Sequence, residues 1–163
     1  MLLQHVHAMA LRREGRLADA QALLAALQAQ AHRRPVADAY LTAAALGSVL
    51  SMRGDDAGSL QLFYHALTLA RTSGVDSLLV NALNNLGSTQ SDLYNLEDAQ
   101  PLLHECLERA CRLGSRRQVI YAAGNLVQCL ALMGRAGDAL QVAREHLIGH
   151  IRPDDPPALQ RDE

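Results

Sequence analysis

The sequence predicts an all-α chain of about eight helices arranged as four antiparallel pairs. Three observations carry that expectation. A unit of about forty residues repeats four times, leucines recur at helical spacing inside each unit, and Gly, Asn or Pro stands at every expected break. A strand reading fails, because the apolar runs are long and do not alternate.

The repeat is clearest in four segments: "GRLADAQALL" from Gly15, "GDDAGSLQLF" from Gly54, "YNLEDAQPLL" from Tyr94 and "GRAGDALQVA" from Gly134. Aligning Ala20, Ser59, Ala99 and Ala139 gives intervals of 39, 40 and 40 residues. Twelve residues before each lies Ala8, Gly47, Gly87 or Val127, and the last three follow Leu46, Leu86 and Leu126. Four residues after each lies Leu24, Phe63, Leu103 or Ala143.

The units run approximately over 1–34, 35–74, 75–114 and 115–150. The first starts with a helix almost at Met1, breaks near Gly15 and ends before Pro35. The second breaks near Gly54 and ends near Gly74, where Gly tolerates the left-handed conformation that closes a helix. In the third, Leu79, Leu83, Leu86 and Leu93 form one stripe; past a break near Asn95, Leu96, Ala99, Leu103, Cys106 and Leu107 form another. The fourth begins after Gly114, breaks near Gly134 and stops near His150. The tail "IRPDDPPALQRDE", residues 151–163, is proline-rich and charged, and is expected to be disordered or to begin a continuation of the chain. No polar capping helix is visible at either end, so the expectation is a piece of a longer protein or, failing that, ends that pair with another subunit.

"LG" in the first helix of a pair, followed by a small residue and then a large one four positions on, resembles the tetratricopeptide repeat (TPR). Leu46-Gly47, Leu86-Gly87 and the step from Ser59 to Phe63 carry the resemblance. The Trp and closing Pro of that signature are absent and the units are several residues longer, as in the longer-helix variety of bacterial regulators and kinesin light chains. A HEAT-like repeat is the alternative. The resemblance covers roughly residues 3–150 and implies a right-handed α-α superhelix, a TPR-like solenoid. It further implies a non-catalytic module that binds a protein or peptide in its concave groove, such as the regulatory region of a bacterial signalling protein, for instance a diguanylate cyclase or transcription regulator. The alternative function is a structural module that self-associates into a homodimer through its ends.

Composition agrees with a helical interaction module. The apolar share is dominated by Ala and Leu, aromatic residues make up only 3%, and Trp is absent, which favours closely approaching helices over a sheet core. A formal net charge of −2 gives no reason to expect nucleic acid or an anionic membrane as partner. Every strongly basic residue is Arg and none is Lys, which together with the abundance of Ala suggests the coding bias of a GC-rich, bacterial genome. The N-terminus lacks the apolar run and cleavage site of a signal peptide, and no segment has the length of a membrane span. Three cysteines without a CxxC pair point to a reducing cytoplasm rather than a disulfide framework.

No catalytic motif emerges: there is no P-loop, GxGxxG, GxSxG or HExxH, so no enzyme and no cofactor is expected. His146 and His150 are four apart and would share a helix face, but lack a third ligand; no metal is expected. Cys106 aligns with Leu27 and Ala66, an interior position, so it reads as a core thiol rather than a redox sensor. Asp55-Asp56 and Glu97-Asp98 fall where second helices start and offset the positive end of the helix dipole there.

One stretch is not accounted for by packing. Asn and Ser are poor helix-interior residues, yet "NALNNLGSTQSD" is full of them. Asn81, Asn85, Ser88 and Asp92 follow steps of four, three and four, with Asn84 beside them, opposite the leucine stripe. Equivalent residues are Tyr121, Gly124, Asn125 and Gln128 in the fourth unit, Ser48 and Met52 in the second, and Arg12 in the first. The resemblance places first helices along the concave groove, making these the expected partner-binding residues. An Asn amide matches the donor and acceptor of a peptide group, so Asn85 and Asn125 are expected as successive rungs along an extended peptide. The competing role for those two is to bond a neighbouring helix and set the stacking. Asn81 and Asn84 have no such explanation, since other units carry Leu, Ala, Tyr or Gly there.

Overall fold

The computed structural model describes residues 2–148; the expected tail 151–163 and His150 lie outside the described residues. Among them are eight α-helices: α1 (Leu2–Arg13), α2 (Leu17–Gln28), α3 (Val36–Met52), α4 (Asp56–Ser73), α5 (Asp76–Asp92), α6 (Leu96–Leu113), α7 (Arg116–Leu132) and α8 (Ala136–His146). A 3-10 turn at Ala31–Arg33, unannounced by the repeat, joins α2 to α3. The breaks contain the expected Gly15, Gly54, Gly74, Asn95, Gly114 and Gly134, whereas α2 ends at Gln28, well before the expected break at Pro35. The helices form two compact units, Met1–Ala82 and Leu83–Glu163, and α5 contributes to both.

In the first unit α1 packs on α2, α2 on α3 and α3 on α4. Ala8, Leu11, Ala20, Leu24, Leu27, Leu46, Val49 and Leu50 close the core between α1, α2 and α3. Each fully buried leucine contributes about 2 kcal/mol from burial. At Gly47 of α3 the partner helix leaves no room for a side chain: a Cβ there would stand 2.9 Å from the Phe63 ring of α4. Asp55 caps α4 by accepting from the Gly58 N–H at 2.9 Å, and Asp56 follows in its first turn. The predicted dipole role of these acids is met.

The second unit repeats the device. A Cβ at Gly87 of α5 would lie 2.8 Å from Leu103 of α6, whose side chain is wholly buried. α6 packs on α7 and α7 on α8. Glu97 and Asp98 occupy the first turn of α6. Side-chain sizes at the aligned positions trade against each other along the chain. Ala8 goes with Leu24, Gly47 with Phe63 and Gly87 with Leu103, whereas the last pair inverts the order, with Val127 and Ala143. At Gly47–Phe63 and Gly87–Leu103 the missing side chain makes room for the large one, because close-packed interiors tolerate neither a void nor an overlap.

The turns inside the pairs are equally uniform. The N–H of Arg16, Asp55, Asn95 and Arg135 donates to the carbonyl of Leu11, Leu50, Gln90 and Leu130 respectively, at 2.9 to 3.0 Å. That ring requires a left-handed residue just before the donor. Gly15, Gly54 and Gly134 supply it with φ of 77°, 77° and 74°. In the third pair the residue is Tyr94, at φ 60° and 72% exposed. The sequence places the break at Asn95; the structure puts the conformational cost one residue earlier. A second bond, from Asn95 Nδ2 to Gln90 Oε1 at 2.8 Å, braces this turn alone.

Two outcomes follow. Gly87→Val and Leu103→Ala each lower unfolding free energy by about 2–4 kcal/mol in urea melts, through overlap and cavity respectively. Combined, they approximate the Val127 and Ala143 pair and cost less than their sum by about 1 kcal/mol or more. Tyr94→Gly relieves the left-handed strain and raises stability by about 1 kcal/mol, read as a higher urea midpoint with unchanged slope.

Candidate functional site

The buried stripe of α5 holds Leu79, Leu83 and Leu86, while Leu93, past the end of the helix, is half-buried. In the second unit, Asn84, Asn85 and Ser88 are half-buried and Asp92 is exposed on α5; on α7, Tyr121 and Gln128 are exposed and Asn125 is half-buried. On this side Asn125 Nδ2 of α7 donates to Asn84 Oδ1 of α5 at 2.9 Å. The expectation that packing gives Asn84 no role is therefore corrected. Its carbonyl is the acceptor that ties α5 to α7, and the Asn125 amide is the donor.

An amide pair of this kind uses only part of its capacity. Asn84 keeps two N–H donors and Asn125 keeps its carbonyl oxygen and one N–H, a donor and acceptor set of the kind a peptide group matches. Ser88 turns its hydroxyl inward, donating to the Asn85 carbonyl at 3.2 Å. Asn85 is thus next to the pair on α5 but is not the residue that bonds Asn125. Burial pushes the Asp92 carboxyl above its usual range. Arg117, which the repeat alignment passes over, lies one turn before Tyr121 and carries its guanidinium 5.7 Å from the ring centroid, within cation–π range. The signal was available: Arg117, Tyr121, Gly124 and Gln128 form one stripe at steps of four, three and four. The first turn of α7 carries no acid to oppose that charge.

The remaining predicted residues lie in the first unit. Asn81 is exposed, on the part of α5 that belongs there. Ser48 is half-buried and donates to the Ala44 carbonyl at 3.0 Å, so its hydroxyl serves its own helix. Met52 is exposed at the end of α3, and Arg12 is half-buried at the end of α1.

A cleft of about 480 Å³ lies elsewhere in the second unit, between α6, α7 and α8. Leu107, Leu126, Leu130 and Val142 give it an apolar lining. Several of its polar groups pair along their own helices or with a neighbouring residue: Arg135 with Asp138 at 2.6 Å, His104 with Glu108 at 3.5 Å and His146 with Glu145 at 3.7 Å. No predicted site residue lines it. His146 Nδ1 also sits 3.8 Å from Cys111 Sγ, and among the described residues no group of three His, Cys, Asp or Glu side chains is placed to hold a metal ion.

Residues 79–113, covering most of α5 and all of α6, match the family model "Tetratricopeptide repeat". They are a tetratricopeptide repeat. The match brackets the Gly87 and Leu103 contact, the left-handed Tyr94 and the amides from Asn81 to Asn85. Among solved structures the chain is similar to BtubC (BKLC) from P. vanneervenii, with a TM-score of 0.77 and 19% identity over 93% of this chain and 63% of that one. It is also similar to the nearly identical TPR-like repeats described as a kinesin light chain from Podosopora anserina, with a TM-score of 0.73 and 15% identity over 96% of this chain and 73% of that one. A point variant of the latter gives a TM-score of 0.75 at the same identity and coverage. No curated protein matches the chain. The TPR-like fold expected from the repeat is thereby established, and that fold is in general a platform for protein partners rather than a catalytic scaffold.

The cysteines fit that role. Cys106 and Cys129 are wholly buried and Cys111 is exposed; all three are free thiols. Burial first, and the nearby Glu105 second, push the Cys106 thiol up to about 12. Burial also raises Cys129 and Cys111. At about pH 8 a thiol reagent should therefore modify Cys111 alone in the folded protein and all three in denaturant. Labelling of native protein followed by peptide mass analysis checks this.

Proposed function

We propose that the outward face formed by α7 and the adjoining part of α5 in the second unit binds an extended peptide segment of a protein partner. The observation that carries this reading is the amide pair of Asn84 and Asn125, which leaves donors and an acceptor on an outward face and is flanked by Tyr121 and Gln128. A solvated face has no need of asparagine, since Glu, Gln or Arg are better helix formers. Asn85 extends the row along α5, and Asp92 and Arg117 place opposite charges on the two helices. Asn81 stands one turn before Asn85 on the same helix. The composition and the free thiols support a cytoplasmic, bacterial setting, in which such a module would serve as the partner-sensing part of a larger signalling protein.

Self-association is a second reading with its own support. Leu3 and Val6 of α1 are 80% and 56% exposed, and Leu140 of α8 with Ile148 beyond it are 48% and 69% exposed. A monomer by light scattering at every accessible concentration rules that reading out.

For the peptide reading, the test is where a binder lands. A peptide selected from a phage-displayed library should shift the backbone amide resonances of Tyr121, Asn125 and Gln128. Asn85→Ala with Tyr121→Ala should weaken it about tenfold or more, with little loss of thermal stability since Tyr121 is exposed and the α5–α7 bond is made by Asn84 rather than Asn85. Shifts confined to Gln100, His104 and Gln141 would instead assign binding to the α6–α8 cleft and reject this face.

A further inference from the structure

Three glycines sit in the interior of the described first helices of pairs, and only two are explained by packing. A Cβ at Gly47 would stand 2.9 Å from Phe63, and one at Gly87 would stand 2.8 Å from Leu103, so a neighbouring helix requires both. Gly124, at the middle of α7, differs: a Cβ there would meet no atom within 4 Å. Its backbone is right-handed helix, so no turn requires it either. Glycine at such a position costs about 1 kcal/mol relative to alanine. The equivalent positions of the other units carry His5, Ala44 and Asn84, so the repeat itself does not ask for glycine.

What surrounds the bare spot is the candidate face. Tyr121 stands one turn before it, its ring held by Arg117 at 5.7 Å. Gln128 stands one turn after it, and the next residue is Asn125, bonded to Asn84. The space above Gly124 is therefore open, with Tyr121 and Gln128 one turn away on either side along α7 and the partly used amide pair beginning at the next residue.

We propose that Gly124 is the point at which the partner's main chain crosses α7. The inference rests on the peptide-binding reading above and adds the geometry of approach. A side chain at this position would hold a segment away from the helix; without one, the segment's N–H and C=O come within reach of the Asn125 and Asn84 amides. The required partner is an extended segment. A helix satisfies its main-chain groups internally and offers the amides nothing. Absence of a Cβ where a chain must approach closely is the use of glycine for which its helix cost is tolerated.

The test uses the full chain and a peptide selected from a phage-displayed library of random linear peptides, with affinities read by fluorescence anisotropy. Gly124→Ala should keep or raise the melting temperature while weakening the peptide about tenfold or more. N-methylation at one or two main-chain amides of the peptide should abolish binding, and a version stapled into a helix should not bind. A peptide that requires Asn125 but binds Gly124→Ala unchanged overturns the crossing point and leaves the face intact. A library yielding no peptide that is sensitive to Asn125→Ala overturns both. A lowered melting temperature for Gly124→Ala shows the glycine to be structural and overturns the inference, as does a stapled helix that retains full affinity.

Discussion

Interior volume shared between the two helices of each pair is the constraint on which this protein depends. Gly47 lets the Phe63 ring settle on α3, and Gly87 does the same for Leu103 on α5. Close packing explains why: an extra methyl forces neighbours off their rotamers, and a missing one leaves a void with unmatched dispersion contacts. At the aligned positions of the fourth unit the size order inverts, to Val127 and Ala143, and both residues are half-buried. The interval between the two partners is set by the turn, whose single backbone bond recurs in all four pairs.

That turn shows how the fold accommodates a poor local choice. A left-handed residue is demanded by the hydrogen-bond ring, whatever the side chain, and Tyr94 adopts it where the sister turns have glycine. Packing on both sides and the Gln90–Asn95 brace hold it there. The acids at the starts of α4 and α6 are a cheaper kind of punctuation, offsetting the helix dipole at solvent-exposed ends.

With the volume problem solved on one stripe of each first helix, the opposite stripe is released from packing. Its residues divide by what they touch. Ser48 and Ser88 bond backward to their own helices, so their hydroxyls are part of the scaffold. Asn84 and Asn125 do two things at once, tying α5 to α7 and leaving amide groups outward. Tyr121 and Arg117 hold each other in place on α7. Gly124 is the position at which the scaffold asks for nothing. A face composed this way is poorly explained as mere solvation, and it is distinct from the α6–α8 cleft, where Arg135 pairs with Asp138.

Helix number, the turns within each pair and the interior position of Cys106 are determined by the sequence alone. They depend on local periodicity and on the residues that end helices, and both are written in the order of amino acids. The left-handed residue at Tyr94 rather than Asn95 could be read from the alignment with Gly15, Gly54 and Gly134, though tyrosine's own propensity conceals it. The 3-10 turn at Ala31–Arg33 has no counterpart in the other units and so leaves no trace in the repeat. Only the tertiary structure decides that Asn84, not Asn85, bonds Asn125, because adjacent residues on a helix point about 100° apart and the facing helix selects between them. Only the structure separates Gly124 from Gly47 and Gly87, because three identical residues at helical positions differ solely in what lies opposite, and that depends on how the helices pack.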